Sequence, residues 1–101
     1  MTIVDDSDAS QRLDAWLWRA RFFKTRGLAT AVVAKGRVRL NGERVAKASR
    51  QVRIGDVLTF SQGGDIRVVR VLDFADRRGP ASEAQQLYET VGGPEPDDSS
   101  A

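Results

Sequence analysis

The sequence predicts an α+β domain, with two N-terminal helices followed by a small, mainly antiparallel sheet. Two observations carry this. Apolar residues recur at helical spacing from Gln11 to Lys35, then alternate with arginines after Gly36. An Asn41-Gly42 pair between two short alternating runs is a strong hairpin signal. With 101 residues, 41% of them apolar, the chain supports one modest core and no second domain. The expected boundaries are an acidic tail over 1–10, the domain over 11–75, a partly helical segment over 76–91 and a second acidic tail over 92–101. Both tails are poor in large apolar residues and rich in Gly, Pro, Ser and Asp, so burial cannot offset the entropy of ordering them.

In QRLDAWLWRARFF, Leu13, Trp16, Leu17, Ala20 and Phe23 fall within about 120° on a helical wheel and form a core-facing stripe. Ser10 suits the N-cap. Arg12 and Arg19 share one flank, while Asp14 and Arg21 share the other. Trp18 points away from the stripe, which leaves two roles open: covering the edge of a sheet or loop, or stacking on a base.

The second helix occupies KTRGLATAVVAKGR, with Thr25 as N-cap, Leu28, Ala31 and Val32 as the buried stripe, and Gly36 as the left-handed residue that ends it. Lys35 near its end agrees with the helix dipole. Lys24 and Arg26 at its start have the wrong sign. Free backbone N–H groups, the Thr25 hydroxyl, Gly27 without a side chain and two cations together read as a phosphate site, the alternative being ordinary surface charge.

In RVRLNGERV, Val38 and Leu40 alternate with Arg37 and Arg39, and Glu43 to Val45 form the return strand. KASRQVRIGD carries Lys47, Arg50 and Arg53 along an extended connector, with Val52 and Ile54 expected inward and a turn at Gly55-Asp56. Two longer strands follow, Val57 to Phe60 and Ile66 to Phe74, and the consecutive Val68-Val69 suggests a bulge or burial on both faces.

Charge and missing residue types narrow the function. The segment from Arg12 to Arg53 holds 12 basic residues against two acids, a net +10, although the whole chain is only +2. Such segregation points to a polyanion, above all nucleic acid, against the plainer alternative of a solvated basic surface balanced by acidic tails. There is no Cys and no His, which excludes disulfides, thiolate nucleophiles, Cys/His metal sites and imidazole catalysis. No apolar run approaches the roughly 20 residues of a membrane span, and the N-terminus does not read as a signal peptide, so a soluble cytoplasmic protein is expected. The carboxylates are scattered, with no pair spaced for shared acid–base work.

The run RLDAWLWRARFFKTRGLATAVVAKGRVRLNGERVAKASRQVRIGDVL resembles the RNA-binding domain named after ribosomal protein S4, also called the alpha-L motif. Its parts keep their order: RLD at helix one, KTR at helix two, the Gly36 approach to the hairpin, the Asn-Gly turn, and VRIGD before a strand. The segments WLW, RFFKTR and RRGPASEAQQLYE are similar to a narrower group, the fifteen-kilodalton ribosome-associated heat-shock proteins. Members of that group often continue into a basic C-terminal extension, where this sequence reads PEPDDSSA.

The resemblance implies RNA-facing roles for Arg12, Lys24, Thr25, Arg26, Lys35, Arg37, Lys47 and Arg50; Arg19, on the flank shared with Arg12, and Arg39, on the basic face of the hairpin, complete the candidate set. It implies that the two helices pack on a small, bent sheet with a short helix near the C-terminus. It further implies structured ribosomal RNA on the large subunit as the partner, peptidyl-tRNA as a further candidate, and a role in rescue or recycling of stalled or stress-damaged ribosomes. A monomer without cofactor, metal or enzymatic activity is expected. RLD also surrounds the catalytic Asp of pseudouridine synthases, but so short a chain leaves no room for a catalytic domain, and Asp14 is expected to be structural, pairing with Arg21. Two alternatives stand beside this reading: a module that binds an acidic protein, and an RNA-targeting module related to those of RNA-modifying enzymes.

Overall fold

The computed structural model describes residues 9–92. The elements are β1 (Ser10–Arg12), α1 (Leu13–Arg19), α2 (Arg26–Ala34), β2 (Val38–Leu40), β3 (Glu43–Val45), β4 (Gln51–Arg53), β5 (Val57–Gln62), β6 (Asp65–Val71), α3 (Ala81–Ala84), a 3₁₀ turn (Gln85–Leu87) and β7 (Tyr88–Gly92). Five strands form an antiparallel sheet in the order β3-β2-β5-β6-β7, and β1 pairs with β4 in a separate two-stranded ribbon. The predicted α+β class holds. Leu13, Trp16 and Leu17 of α1 and Ala29 and Val33 of α2 share one core with Val38, Leu40, Leu58, Phe60, Val69 and Val71 of the sheet. The acidic stretches lie outside the described residues apart from their inner ends, where Ser10 opens β1 and Gly92 closes β7.

The first helix is shorter than its wheel suggests. Ser10 is not its cap: it lies in β1, and its hydroxyl donates to Gln51 Oε1 at 2.8 Å. The first helical N–H groups instead reach the connector, Leu13 N to Arg50 O at 2.8 Å and Asp14 N to Ala48 O at 3.2 Å, so the Lys47–Arg50 turn caps α1. At the other end Arg21 takes a left-handed φ of 68°, and Arg21 N and Phe22 N bond back to Trp18 O and Leu17 O. This stop turns Phe22 into the core, against Phe60 (4.9 Å between ring centroids) and Tyr88 (4.5 Å), and leaves Phe23 only partly buried. Without a glycine at position 21 the sequence carried no sign of it.

In α2 the buried stripe is Ala29 and Val33; of the expected Leu28, Ala31 and Val32, only Val32 packs against the core, partly buried. Leu28 is 50% exposed. The helix is rotated by about one residue from the expected wheel, which turns Arg26 and Thr30 toward α1. Its ends match expectation. Thr25 Oγ1 accepts from Leu28 N at 3.1 Å, and Gly36, with φ 73°, closes the helix as Gly36 N and Arg37 N reach Val33 O and Val32 O.

The hairpin forms as predicted, with Asn41 and Gly42 both at positive φ. Asn41 also ties it to the next strand, its side chain accepting from Val57 N and donating to Asp56. Ile54 does not turn inward; it is 45% exposed because β4 ends at Arg53 and Gly55, at φ 96°, reverses the chain. The strand expected to reach Phe74 stops at Val71, where Leu72 N and Asp73 N both bond Leu87 O. The Val68/Val69 irregularity is real and lies opposite β7, a strand that the sequence reading missed. Trp18 is half-buried under the Arg78 guanidinium, 5.9 Å from the ring centroid, and Arg78 Nε donates to Trp18 O, so it covers the C-terminal segment.

Candidate nucleic-acid interface

The start of α2 meets a negative charge inside the protein. Asp14, 1% exposed, sits beneath two arginines from different elements. Arg12 Nε and NH2 each approach its carboxylate at 3.1 Å in a bidentate pair, Arg26 NH2 lies 3.6 Å from Oδ1, and Thr30 Oγ1 lies 2.8 Å from Oδ2. The backbone N–H of Ala15 donates to Oδ1 at 2.8 Å. Burial alone would raise the Asp14 pKa; the bonds from Arg12 and Thr30, with the positive charge of Arg12 and Arg26, reverse this and hold it below the ordinary carboxylate value. Asp14 therefore stays ionised. It does not pair with Arg21, whose Nε donates to Gly79 O instead, because the chain leaves the helix before Arg21 could lie two turns from it.

The two guanidiniums are held at one edge and open at the other. Arg12 and Arg26 side chains remain 47% and 42% exposed, so each keeps donors directed to solvent while its position is fixed from below. Lys24 and the capping Thr25 adjoin Arg26 on the exposed approach to α2. The Lys47–Arg50 turn, bound to the first N–H groups of α1, brings two more exposed cations to this corner. An open groove of ≈ 530 Å³ continues from it, lined by Lys47, Ser49, Arg50 and Arg53 on one side and by Leu40 and Asn41 of the hairpin on another.

Arg12, Lys24, Thr25, Arg26, Lys47 and Arg50 thus converge on the corner, and the other candidates do not. Arg19 is half-buried and donates from NH1 to Ala75 O at 2.8 Å, which ties it to the C-terminal segment and removes it from the exposed set. Lys35 and Arg37 lie at the opposite end of α2, and Arg39 is on the hairpin. Sequence reasoning missed Asp14 as the anchor and Thr30 as its second partner. One signal was available: Asp14 is the only acid between Arg12 and Asn41, set within an apolar run.

With this geometry established, comparison with known proteins places the chain. Residues 11–58 match the S4 domain model. The chain is 50% identical to Heat shock protein 15 of Escherichia coli K12 over 78 residues, which are 77% of this chain and 58% of that protein. The chain thus spans little more than half the length of that relative. It is 32% identical to the RQC P-site tRNA stabilizing factor of Streptococcus pneumoniae over 80 residues, 79% of this chain and 89% of that one. The solved Heat Shock Protein 15 of Vibrio cholerae superposes with a TM-score of 0.77 at 47% identity, covering 82% of this chain and 83% of the other. That structure is described as trimeric, and it lends no support to the expected monomer. Among the described residues no helix is long and apolar enough to cross a membrane. Fold, sequence and the ordered motifs agree that the chain belongs to the Heat shock protein 15 family of S4-domain proteins.

Proposed function

We propose that this protein binds structured ribosomal RNA on the large ribosomal subunit and acts, without catalysis, in the rescue or recycling of stalled or stress-damaged ribosomes, with peptidyl-tRNA as a further RNA partner. The observation that carries the reading is the corner built on Asp14, where Arg12 and Arg26 are held in position and Lys24, Lys47 and Arg50 stand exposed around them. Pre-ordered guanidiniums lose less freedom on meeting a phosphate than free ones do, and five cations from three elements follow a bent backbone better than a straight groove. Recognition of this kind reads RNA shape, because the deep major groove of A-form RNA shields its base edges. The name of one relative, a P-site tRNA stabilizing factor, supports the ribosomal setting, and that of another, a heat shock protein, supports the link to stress.

The test is sedimentation of tagged protein with ribosomes through a sucrose gradient. The protein should travel with large subunits at low salt and be released as salt rises. A protein that stays at the top of the gradient at every salt concentration, and purifies free of ribonuclease-sensitive absorbance at 260 nm, would remove the ribosomal reading.

A further inference from the structure

Three arginines gather where the corner does not reach, and none of them is paired with a carboxylate among the described residues. Arg39 and Arg44 are direct cross-strand partners in the β2–β3 hairpin. Residues so placed have Cβ atoms about 4.5–5.5 Å apart, and like charges there destabilise the pair. Val38, Leu40 and Val45 at the alternate positions are buried, so both arginines stand on the sheet face turned away from the helices. Thr59 flanks Arg39 on its other side, and Arg37 precedes the strand. None of Arg37, Arg39 and Arg44 joins an ion pair among the described residues. The acids on these strands are no help: Glu43 and Asp65 occupy register positions of the other face, opposite Leu40 and Gln62.

The fold arranges this repulsion rather than relieving it. Arg39 NH1 reaches toward the hairpin tip, 3.4 Å from Gly42 O. Arg44 runs the other way, its stem across Gly36 with Cδ 3.1 Å from where a Cβ would stand, so the missing side chain at Gly36 gives Arg44 its path. Both side chains border a shallow groove shared with Arg37, Thr59, Ser61 and Ile66. Protection of a sheet edge would account for a charge on β3, which is an edge strand. It does not account for Arg39, because β2 lies between β3 and β5.

We infer that the outer face of the hairpin, with Arg37, Arg39 and Arg44 as ligands, is a second phosphate-binding surface for RNA, so that the chain grips two separate stretches of backbone. The corner and this face lie at opposite ends of α2, and its nine residues separate them by roughly 13 Å of helix. RNA fits better than an acidic protein because the face sets forked guanidinium donors beside the Thr59 and Ser61 hydroxyls, and Ile66 is the one exposed large apolar side chain that lines the groove, Phe60 being buried. Arg37 and Arg39 belong to the residues expected to face RNA, but this face is separate from the corner that carries the proposed ribosomal site, and the inference does not depend on that corner.

The experiment is a titration of the whole protein with a short RNA duplex at low salt, following the arginine side-chain N–H resonances, with poly-glutamate at equal charge as the comparison. Arg39 and Arg44 signals should shift with RNA in the wild type and in Lys24→Gln/Arg26→Gln, and should respond to poly-glutamate several-fold more weakly. The variant Arg39→Gln/Arg44→Gln should bind the duplex with a log K against log salt slope reduced by about 1 to 2, and should melt no lower than wild type. No shift at Arg39 and Arg44 with an unchanged slope would overturn the inference; an equal response to poly-glutamate would give the face to an acidic protein instead. A protein that shows these shifts yet ignores ribosomes would lose the ribosomal reading and keep this one.

Discussion

At its N-terminal end α2 presents Arg26, which shares the buried Asp14 with Arg12 and Thr30, whereas beyond its C-terminal end Arg37, Arg39 and Arg44 join no ion pair among the described residues. Both regions concentrate positive charge, and they handle it differently. At the corner one ionised carboxylate fixes two guanidiniums and lowers the net charge by one, which exchanges attraction for geometry. On the hairpin the charges are left at full strength with freer heads, which favours attraction over geometry. A surface of the first kind can specify where a phosphate must sit; one of the second kind adds affinity that salt readily screens.

The largest effect should follow from removing the anchor. Asp14→Asn keeps the shape but leaves Arg12 and Arg26 without their partner, and should lower stability by about 2 to 3 kcal/mol in urea denaturation, short of a fully buried pair because the arginines are half-exposed. It also raises the net charge by one. If charge alone governed RNA binding, the variant would bind more tightly; ordering of Arg12 and Arg26 predicts weaker binding. The pH dependence follows in sign. Because the folded-state pKa of Asp14 is depressed, its contribution is present above the unfolded value of about 4 and is lost as pH falls through the lower folded value. Wild type should therefore lose stability on acidification more steeply than Asp14→Asn, as thermal melts across that range would show.

Gly36→Ala comes next, at about 1 to 2 kcal/mol, because it places a Cβ at φ 73° and against the Arg44 stem. It also displaces Arg44, so the hairpin face should weaken while the corner keeps its RNA contacts. Thr25→Ala removes the cap of α2 and should lower stability by about 1 kcal/mol. Lys24→Gln is the smallest: stability should stay within about a few tenths of a kcal/mol, since Lys24 is exposed and makes no ion pair among the described residues, and only binding should respond.

Local signals made the hairpin and both ends of α2 legible in the sequence, because each rests on residues adjacent in the chain; the paired valines marked the Val68/Val69 irregularity, although its partner strand β7 is distant in the chain. What failed depended on contacts across the fold. The rotation of α2 is set by Asp14, which is sixteen residues before Thr30, and no wheel drawn on α2 alone can contain it. The left-handed Arg21 is stabilised by the Phe22 contacts to Phe60 and Tyr88, so nothing near position 21 announces it. β7 was hidden because TyrGluThrValGly has few alternating apolar residues and forms by pairing with β6. Among the candidate cations, charge at the start of α2 and the family resemblance singled out residues that the fold brings to one corner, but they could not separate Arg19, whose position on the Ala75 carbonyl is a matter of tertiary structure.

If the cations at the start of α2 hold RNA phosphate, the salt dependence of binding of Lys24→Gln/Arg26→Gln to large ribosomal subunits, beside wild type, must show it. Up to two phosphate contacts are removed, so affinity should fall and the slope of log K against log salt should become shallower by roughly 1 to 2, while Asp14 keeps Arg12 and Thr30 and the protein stays folded. A folded double variant with unchanged affinity and unchanged slope would show that these charges do not contact RNA.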